Sequence, residues 1–248
     1  MPATAQILAE IAARAGAVVM RHYLASPRQE TARLKADRSP VTDADEEAER
    51  LILAALADAF PGVPVVAEEE AAAGRIQAVK QRFFLVDPLD GTKEFLSGNG
   101  EFTVNIAEVV DGVPVAGAVY APAQARMFCG DAGGAFEGSK PIHVRAAPQD
   151  GLVAIGSRSH RDAATAEFLK AYPVTKLVSA GSSLKFCLVA AGEADIYARG
   201  GRTMEWDTAA GHAVLAAAGG SVRDWSGAPL AYGKSGFENP AFVARGLV

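Results

Sequence analysis

The sequence predicts an α/β protein in which an α+β N-terminal lobe packs on an α/β C-terminal lobe. In the first half, amphipathic helices precede strands joined by hairpin-type turns. In the second half, short apolar strands alternate with helices, the order expected of an α/β unit. The length agrees: 248 residues, 50% of them hydrophobic, fill a sizeable core and lie near the size at which one core divides into two lobes.

Residues 4–24 read as a helix because Ile7, Ile11, Ala15, Val18 and Val19 recur at helical spacing. Lys35 to Pro40 is polar and turn-like. Thr42 opens a second helix with an apolar face of Leu51, Ile52, Ala55 and Leu56, and Pro61-Gly62 ends it. Val63 to Ala67 reads as a short strand running into Glu68-Glu69-Glu70. Phe83 to Val86 is a continuous apolar run, as expected of a strand buried on both faces, and it stops at Asp87. Phe102 to Val110 and Val113 to Tyr120 flank Asp111-Gly112, a strong hairpin signal. One or two further strands with glycine turns reach Val144.

Beyond that point Val153 to Ile155 reads as a strand, 161–171 as a helix and Lys176 to Val178 as a strand. Ser183 to Ala191 follows as a helix, Asp195 to Ala198 as a strand and Thr208 to Ala218 as a helix. The change of character falls near 140–150, which divides the chain into lobes 1–145 and 146–248. Nothing there resembles a flexible linker, so the lobes are expected to form one integrated unit.

A formal net charge of −5 provides no broad electrostatic footprint for a nucleic-acid polymer or an anionic membrane. A small anionic substrate then needs local positive charge, which bound metal ions can supply. No apolar stretch is long enough to span a bilayer. The N-terminal run is broken by Glu10 and Arg14 and does not read as a secretion signal. Cys129 and Cys187 lie in apolar surroundings without metal-ligand spacing and are read as buried thiols, which suits a cytoplasmic protein. Peripheral membrane attachment stays open.

Four acidic clusters carry the candidate chemistry: Asp43/Asp45, Glu68/Glu69/Glu70, Asp87/Asp90 and Asp207. In Asp87-Pro88-Leu89-Asp90-Gly91-Thr92, two carboxylates three residues apart follow a buried strand, where ligand sites of α/β sheets favour the strand end. Oxygen donors converging there suit a hard cation such as Mg²⁺. A solvated acidic turn is the competing reading, since Asp, Pro and Gly are ordinary turn residues. Asp45 has its own alternative, because Thr42-x-x-Asp45 is a capping-box pattern. Asp207 could be a plain helix N-cap, and Glu70 a solvated charge at a helix entry.

Taken together, these segments resemble the inositol monophosphatase superfamily. Asp87 to Thr92 resembles its central motif, Glu68-Glu69 its upstream acidic pair, and Trp206-Asp207-Thr208-Ala209-Ala210 its downstream signature, in register along essentially the whole chain. The resemblance implies a layered αβαβα architecture. Ser39-Pro40-Val41-Thr42-Asp43-Ala44-Asp45, Lys93-Glu94-Phe95 and Gly181-Ser182-Ser183-Leu184-Lys185-Phe186 further resemble the 3′(2′),5′-bisphosphate nucleotidase branch.

That resemblance implies a Mg²⁺-dependent phosphomonoesterase acting on adenosine 3′,5′-bisphosphate, with an inositol or sugar monophosphate phosphatase as the alternative. A non-catalytic metal- or nucleotide-binding protein on the same fold is an alternative of another class. Glu68, Asp87 and the Leu89 carbonyl would hold one Mg²⁺, and Asp87, Asp90 and Asp207 a second. A third, weaker ion would sit near Glu68. Thr92 would position the attacking water, with Glu69 and Asp45 behind it. Homodimers are among the assemblies the superfamily allows.

Substrate contacts are expected from Glu68, Leu89, Asp90, Gly91, Thr92 and Asp207 on the acidic side. Ser157-Arg158-Ser159-His160, at a strand end before a helix, has the donors a phosphate needs, although Ser159 also fits a plain N-cap. Gly181, Ser182 and Lys185 form a comparable second site, Lys185 serving either as a point charge or as an ordinary solvated lysine.

Overall fold

In a computed structural model of the chain, residues 3–25, 32–34, 40–79, 81–157 and 162–247 are described. Helix α1, Ala3–Leu24, buries Leu8, Ile11, Ala12, Ala15 and Val19 along one side. A two-residue pair follows, β1 (Arg33–Leu34) antiparallel to β2 (Pro40–Val41). Helix α2, Asp43–Ala59, starts at Thr42, whose side chain accepts from the Ala44 amide while the Asp45 carboxylate accepts from the Thr42 amide. The capping box is therefore real, and it orients an acid as well as starting a helix.

Seven strands form one sheet in sequence order: β3 (Val65–Ala67), β4 (Arg82–Asp90), β5 (Thr103–Val110), β6 (Val113–Ala121), β7 (Arg126–Asp131), β8 (Gly134–Glu137) and β9 (Lys140–Ile142). Only β3 and β4 pair in parallel. Short helices α3 (Glu68–Ala72) and α4 (Thr92–Ser97) leave the ends of β3 and β4. The Asp111-Gly112 turn has positive φ at both residues, as a two-residue hairpin requires. The expected strand ending at Asp87 instead runs on to Asp90. Asp87 pairs with Asn105 and Asp90 with Thr103, the register shifting between them, so backbone pairing carries the strand through the acidic motif. The glycine-rich stretch before Val144 holds three strands, where one or two were expected.

Period-two alternation divides the core. Phe84 and Val86 of β4, with Val104 and Ile106 of β5, face α1 and α2. Phe83 and Leu85, with Ala107 and Val109, face the opposite way. That second face is covered by α6 (Leu184–Ala190) and α7 (Ala209–Ala217). Beyond them lies a five-stranded sheet of β10 (Leu152–Ser157), β11 (Val174–Ala180), β12 (Ile196–Arg199), β13 (Ser221–Asp224) and β14 (Phe242–Arg245). Its order is β11-β10-β12-β14-β13. Helix α5, Ala163–Leu169, packs against β12 and closes the αβαβα layering. Strands β10, β11 and β12 are parallel as the alternation predicts, whereas β14 runs antiparallel to β12 and β13. The last two strands carry only four residues each, too few to show a period.

The connection at 140–150 is tied down. Arg145 donates through Nε and Nη2 to the fully buried Asp195 carboxylate at 2.7 and 2.8 Å, and the Val153 amide donates to the same group at 2.7 Å. Cys129 and Cys187 are both free and buried, as expected.

Candidate active site

The acids arrive from different elements. The end of β4 brings Asp87 and Asp90, the β3–α3 junction brings Glu68 and Glu69, and the first turn of α2 brings Asp45. The short turn Glu205–Asp207 ahead of α7 brings Asp207. Glu68, Asp90, Gly91, Thr92 and Asp207 line a cavity of about 290 Å³, together with Ser157, Ser182, Lys185, Arg199 and Arg202.

Asp87 is almost completely buried, and its Oδ1 accepts from the Leu89 amide at 3.0 Å. The bond folds the motif back so that the Leu89 carbonyl approaches Thr92. Thr92 Oγ1 lies 3.3 Å from the Leu89 oxygen and 3.4 Å from Asp45 Oδ1. With one proton and two acceptors in reach, this hydroxyl is oriented by its donation and keeps lone-pair capacity. Gly91 sits at φ 90°, where it begins α4 against the Glu101 carbonyl and Phe102.

Asp90 faces the segment ahead of α6. Its Oδ2 accepts from the Ser183 amide at 2.6 Å and lies 3.5 Å from Asn105 Nδ2. Asn105 Oδ1 in turn accepts from Ser183 Oγ at 2.6 Å. Gly181 makes this junction close: a Cβ there would meet the Glu101 carbonyl at 2.5 Å, and its amide donates to Glu101 Oε2 at 2.8 Å. Ser182 takes a left-handed φ of 50°, which turns the next amide toward Asp90.

Burial pushes the Asp90 carboxyl up to about 6 against the opposing pull of Lys185, with Glu68 adding repulsion. Asp207 is raised well above the usual carboxylate range by burial, then by the charges of Asp90 and Glu68. Burial, then Glu69 and Glu68, lifts Asp45 to about 7 despite the hydrogen bonds from Thr42. Each acid is thus hard to charge beside the others, and a cation among them would relieve that cost.

Several expected residues need correction or refinement. Asp207 is not the N-cap of α7, because Thr208 holds that position and Asp207 Oδ2 instead accepts from the Met204 amide at 2.7 Å. Lys185 is not a solvated helix lysine. It is buried, holds Nζ toward the carbonyls of Ala180 and Ser182, lies over the Tyr197 ring, and is lowered to about 8 by burial. Glu70 pairs with Arg75 at the protein surface, in agreement with a solvated helix entry. Arg158, Ser159 and His160, with Ser39 of the N-terminal motif, lie outside the described residues.

The sequence reading missed Glu49. Its two carboxylate oxygens accept from the amides of Glu69 at 2.8 Å and Glu70 at 2.9 Å, holding the start of α3 from α2. Burial raises it to about 7. Its place one turn beyond Asp45, at i+4 on the same helix, is a usable signal in retrospect. Arg199, at the end of β12, was missed as well; it lines the cavity.

A set of oxygen donors only, at strand and helix ends around a polar cavity, fits a hard divalent cation. Among the described residues, no three carboxylates already close on one point.

A layered αβαβα fold with this acidic cavity defines the class of protein: the chain belongs to the inositol monophosphatase family, whose profile matches residues 3–245. Among individual relatives, 3′(2′),5′-bisphosphate nucleotidase CysQ of Escherichia coli (strain K12) is 47% identical over 238 residues, covering 94% of this chain and 96% of that protein. The CysQ of Buchnera aphidicola subsp. Acyrthosiphon pisum is 40% identical, covering 97% and 92%. Among solved structures, CysQ from Bacteroides thetaiotaomicron superposes with a TM-score of 0.83 at 36% identity, covering 98% of this chain and 97% of that one. Inositol monophosphatase from Anabaena (Nostoc) sp. PCC 7120 superposes at 0.78 with 28% identity, covering 98% and 90%. Among the described residues, no helix is long and apolar enough to cross a membrane.

Proposed function

We propose that this chain is a Mg²⁺-dependent 3′(2′),5′-bisphosphate nucleotidase. It hydrolyses the 3′-phosphate of adenosine 3′,5′-bisphosphate to give AMP and phosphate, and accepts 3′-phosphoadenylyl sulfate as a second substrate. The carrying observation is the mixed lining of the cavity: the acids Glu68, Asp90 and Asp207 together with the cations Lys185, Arg199 and Arg202. Identity to nucleotidases of the CysQ type over nearly the whole chain supports the substrate.

In this reading Glu68, Asp87 and the Leu89 carbonyl would hold one Mg²⁺, while Asp87, Asp90 and Asp207 would hold another. A third, weaker ion would be held beside Glu68. When bound, the ions supply Lewis acidity at the phosphoryl group and its leaving oxygen. Thr92, fixed by donation to Leu89 or Asp45, accepts a hydrogen bond from the attacking water and aims its oxygen at phosphorus; in the orientation toward Asp45, the water's proton passes to Thr92 as Thr92's own proton moves to Asp45. Asp45 is the proton store behind Thr92, and Glu69 sits beside it. The water oxygen–phosphorus bond forms as the 3′-oxygen–phosphorus bond breaks, and the leaving 3′-oxygen takes up a proton from solvent water, so the chain needs no covalent phosphoenzyme.

Gly91, Ser157, Gly181, Ser182 and Lys185 contact the nucleotide, together with Arg158, Ser159 and His160. The lobes 1–145 and 146–248 act as one unit, since Asp90 and Ser183 meet across them.

A phosphate-release panel with and without Mg²⁺ tests this. The expected order is adenosine 3′,5′-bisphosphate well ahead of inositol 1-phosphate and sugar phosphates, with no release after chelation. Faster turnover of inositol 1-phosphate would replace the nucleotidase reading with an inositol phosphatase one. No Mg²⁺-dependent release from any member would leave only a binding protein.

A further inference from the structure

The turn that carries Asp207 is only three residues long, Glu205–Asp207, too short to hold its own conformation. It is held instead by a strap from far along the chain. The buried Glu205 carboxylate accepts from the amides of Gly233 at 2.7 Å and Lys234 at 2.9 Å, and pairs with Lys234 Nζ at 2.7 Å. The Glu205 amide donates to the Phe237 carbonyl at 2.8 Å.

Asn239 closes the strap. It is buried, and its amide donates to the Thr203 carbonyl at 2.9 Å. Its Nδ2 donates to the Met204 carbonyl at 2.8 Å and lies 3.0 Å from Thr208 Oγ1 and 3.3 Å from Thr203 Oγ1. Lys234 Nζ stands 3.3 Å from its Oδ1. One carboxamide therefore spans the Asp207 turn from Met204, whose own amide donates to Asp207 Oδ2, to Thr208 on the other side. A carboxamide suits this place, because it offers two protons and an acceptor without adding another charge to an acidic site.

We infer that Asn239 is a positioning residue for Asp207, setting the direction of that carboxylate through Met204 and Thr208. The inference rests on Asp207 serving as a metal ligand in the proposed function. Removing a group that hydrogen-bonds a metal ligand directly typically weakens affinity or activity by roughly 10- to 100-fold, and Asn239 acts one step further out, through Met204 and Thr208, so the low end is expected.

The test uses the full chain with Asn239→Ala and the near-isosteric Asn239→Asp, whose carboxylate cannot donate to Met204. Mn²⁺ binding is measured directly by electron paramagnetic resonance, alongside the Mg²⁺ dependence of kcat and the metal-free melting temperature. Both variants are expected to fold, to bind Mn²⁺ roughly tenfold more weakly and to need correspondingly more Mg²⁺. Unchanged Mn²⁺ binding with a lowered melting temperature would show a purely structural residue and overturn the inference. Failure of both variants to fold would overturn it as well, since a positioning residue is dispensable for the fold. If the wild-type chain itself neither binds Mn²⁺ nor releases phosphate, the functional reading fails instead, and the two failures are told apart.

Discussion

The Ser183 amide donates to the Asp90 carboxylate at 2.6 Å, joining residues 93 apart in sequence. Asp90 ends a strand of the seven-stranded sheet, and Ser183 stands just ahead of α6 in the second half of the chain. An acid of the central motif is thus aimed by a segment from the second half of the chain, with the Gly181-Ser182 bend setting the aim.

Asp90→Asn tests the role of this charge. The amide oxygen can still accept from Ser183, so the fold is expected to survive, and metal-free stability to match or exceed wild type because a buried charge is removed. Activity is expected to fall by about 10²–10⁴-fold, the scale of several kcal/mol of lost metal-assisted stabilisation. Mg²⁺-dependent phosphate release and a thermal melt check both halves. Near-normal turnover would rule out Asp90 as a ligand.

Thr92 offers a sharper separation of shape from chemistry. Thr92→Val keeps the volume and removes the hydroxyl that reaches Leu89 and Asp45. A loss of about 10²-fold or more in kcat is expected, with much smaller loss in Thr92→Ser. Equal rates for the two variants would show that the hydroxyl does not handle the water.

Glu49→Gln places an amide group against one of the two backbone N–H donors of Glu69 and Glu70. One buried donor is left unpaired, at a cost of roughly 1–3 kcal/mol. Urea unfolding measures that cost. Apparent Mg²⁺ affinity is expected to weaken in parallel, because Glu68 and Glu69 stand on the turn that Glu49 holds. Unfolding unchanged within error would mean that the lost hydrogen bond contributes nothing net.

His212 predicts a pH dependence of stability. Burial lowers it from 6.5 to about 4, and its Nδ1 lies 3.0 Å from the Tyr232 hydroxyl. Between those values the unfolded chain binds the extra proton. Its contribution is therefore fully present above pH 6.5 and is lost as pH falls toward 4, to a limit of about 3 kcal/mol. The raised carboxyls of Asp45, Glu49 and Asp90 act oppositely over the same range, so the informative quantity is the difference from His212→Gln. Denaturation from pH 4.5 to 7.5 should show the stability of wild type relative to that variant falling on the acid side. A pH-independent difference would mean that His212 does not titrate on unfolding.

Much of this protein was legible locally. The helices at Ala3–Leu24 and Asp43–Ala59 were visible because a 3.6-residue period persists over many turns, and the Asp111-Gly112 hairpin because two adjacent positive φ values restrict residue choice. The acids of the β3–α3 junction and β4 were visible because they follow continuous apolar strands. Strands β13 and β14 were not, since four residues show no period and their pairing partners lie elsewhere in the chain.

By itself, the sequence determined the residue types at the candidate site, the order of most elements and the likeness to a metal-dependent phosphatase. Only the tertiary structure decided which groups aim them. Thr92 reaches Asp45 from another element, Glu49 holds the amides after Glu68, Ser183 meets Asp90, and Asn239 spans the turn of Asp207. The physical reason is range. Helical period and turn preference act over a few residues and leave a local trace, whereas a hydrogen bond between residues 31 or 93 apart exists only once the core has brought two elements together.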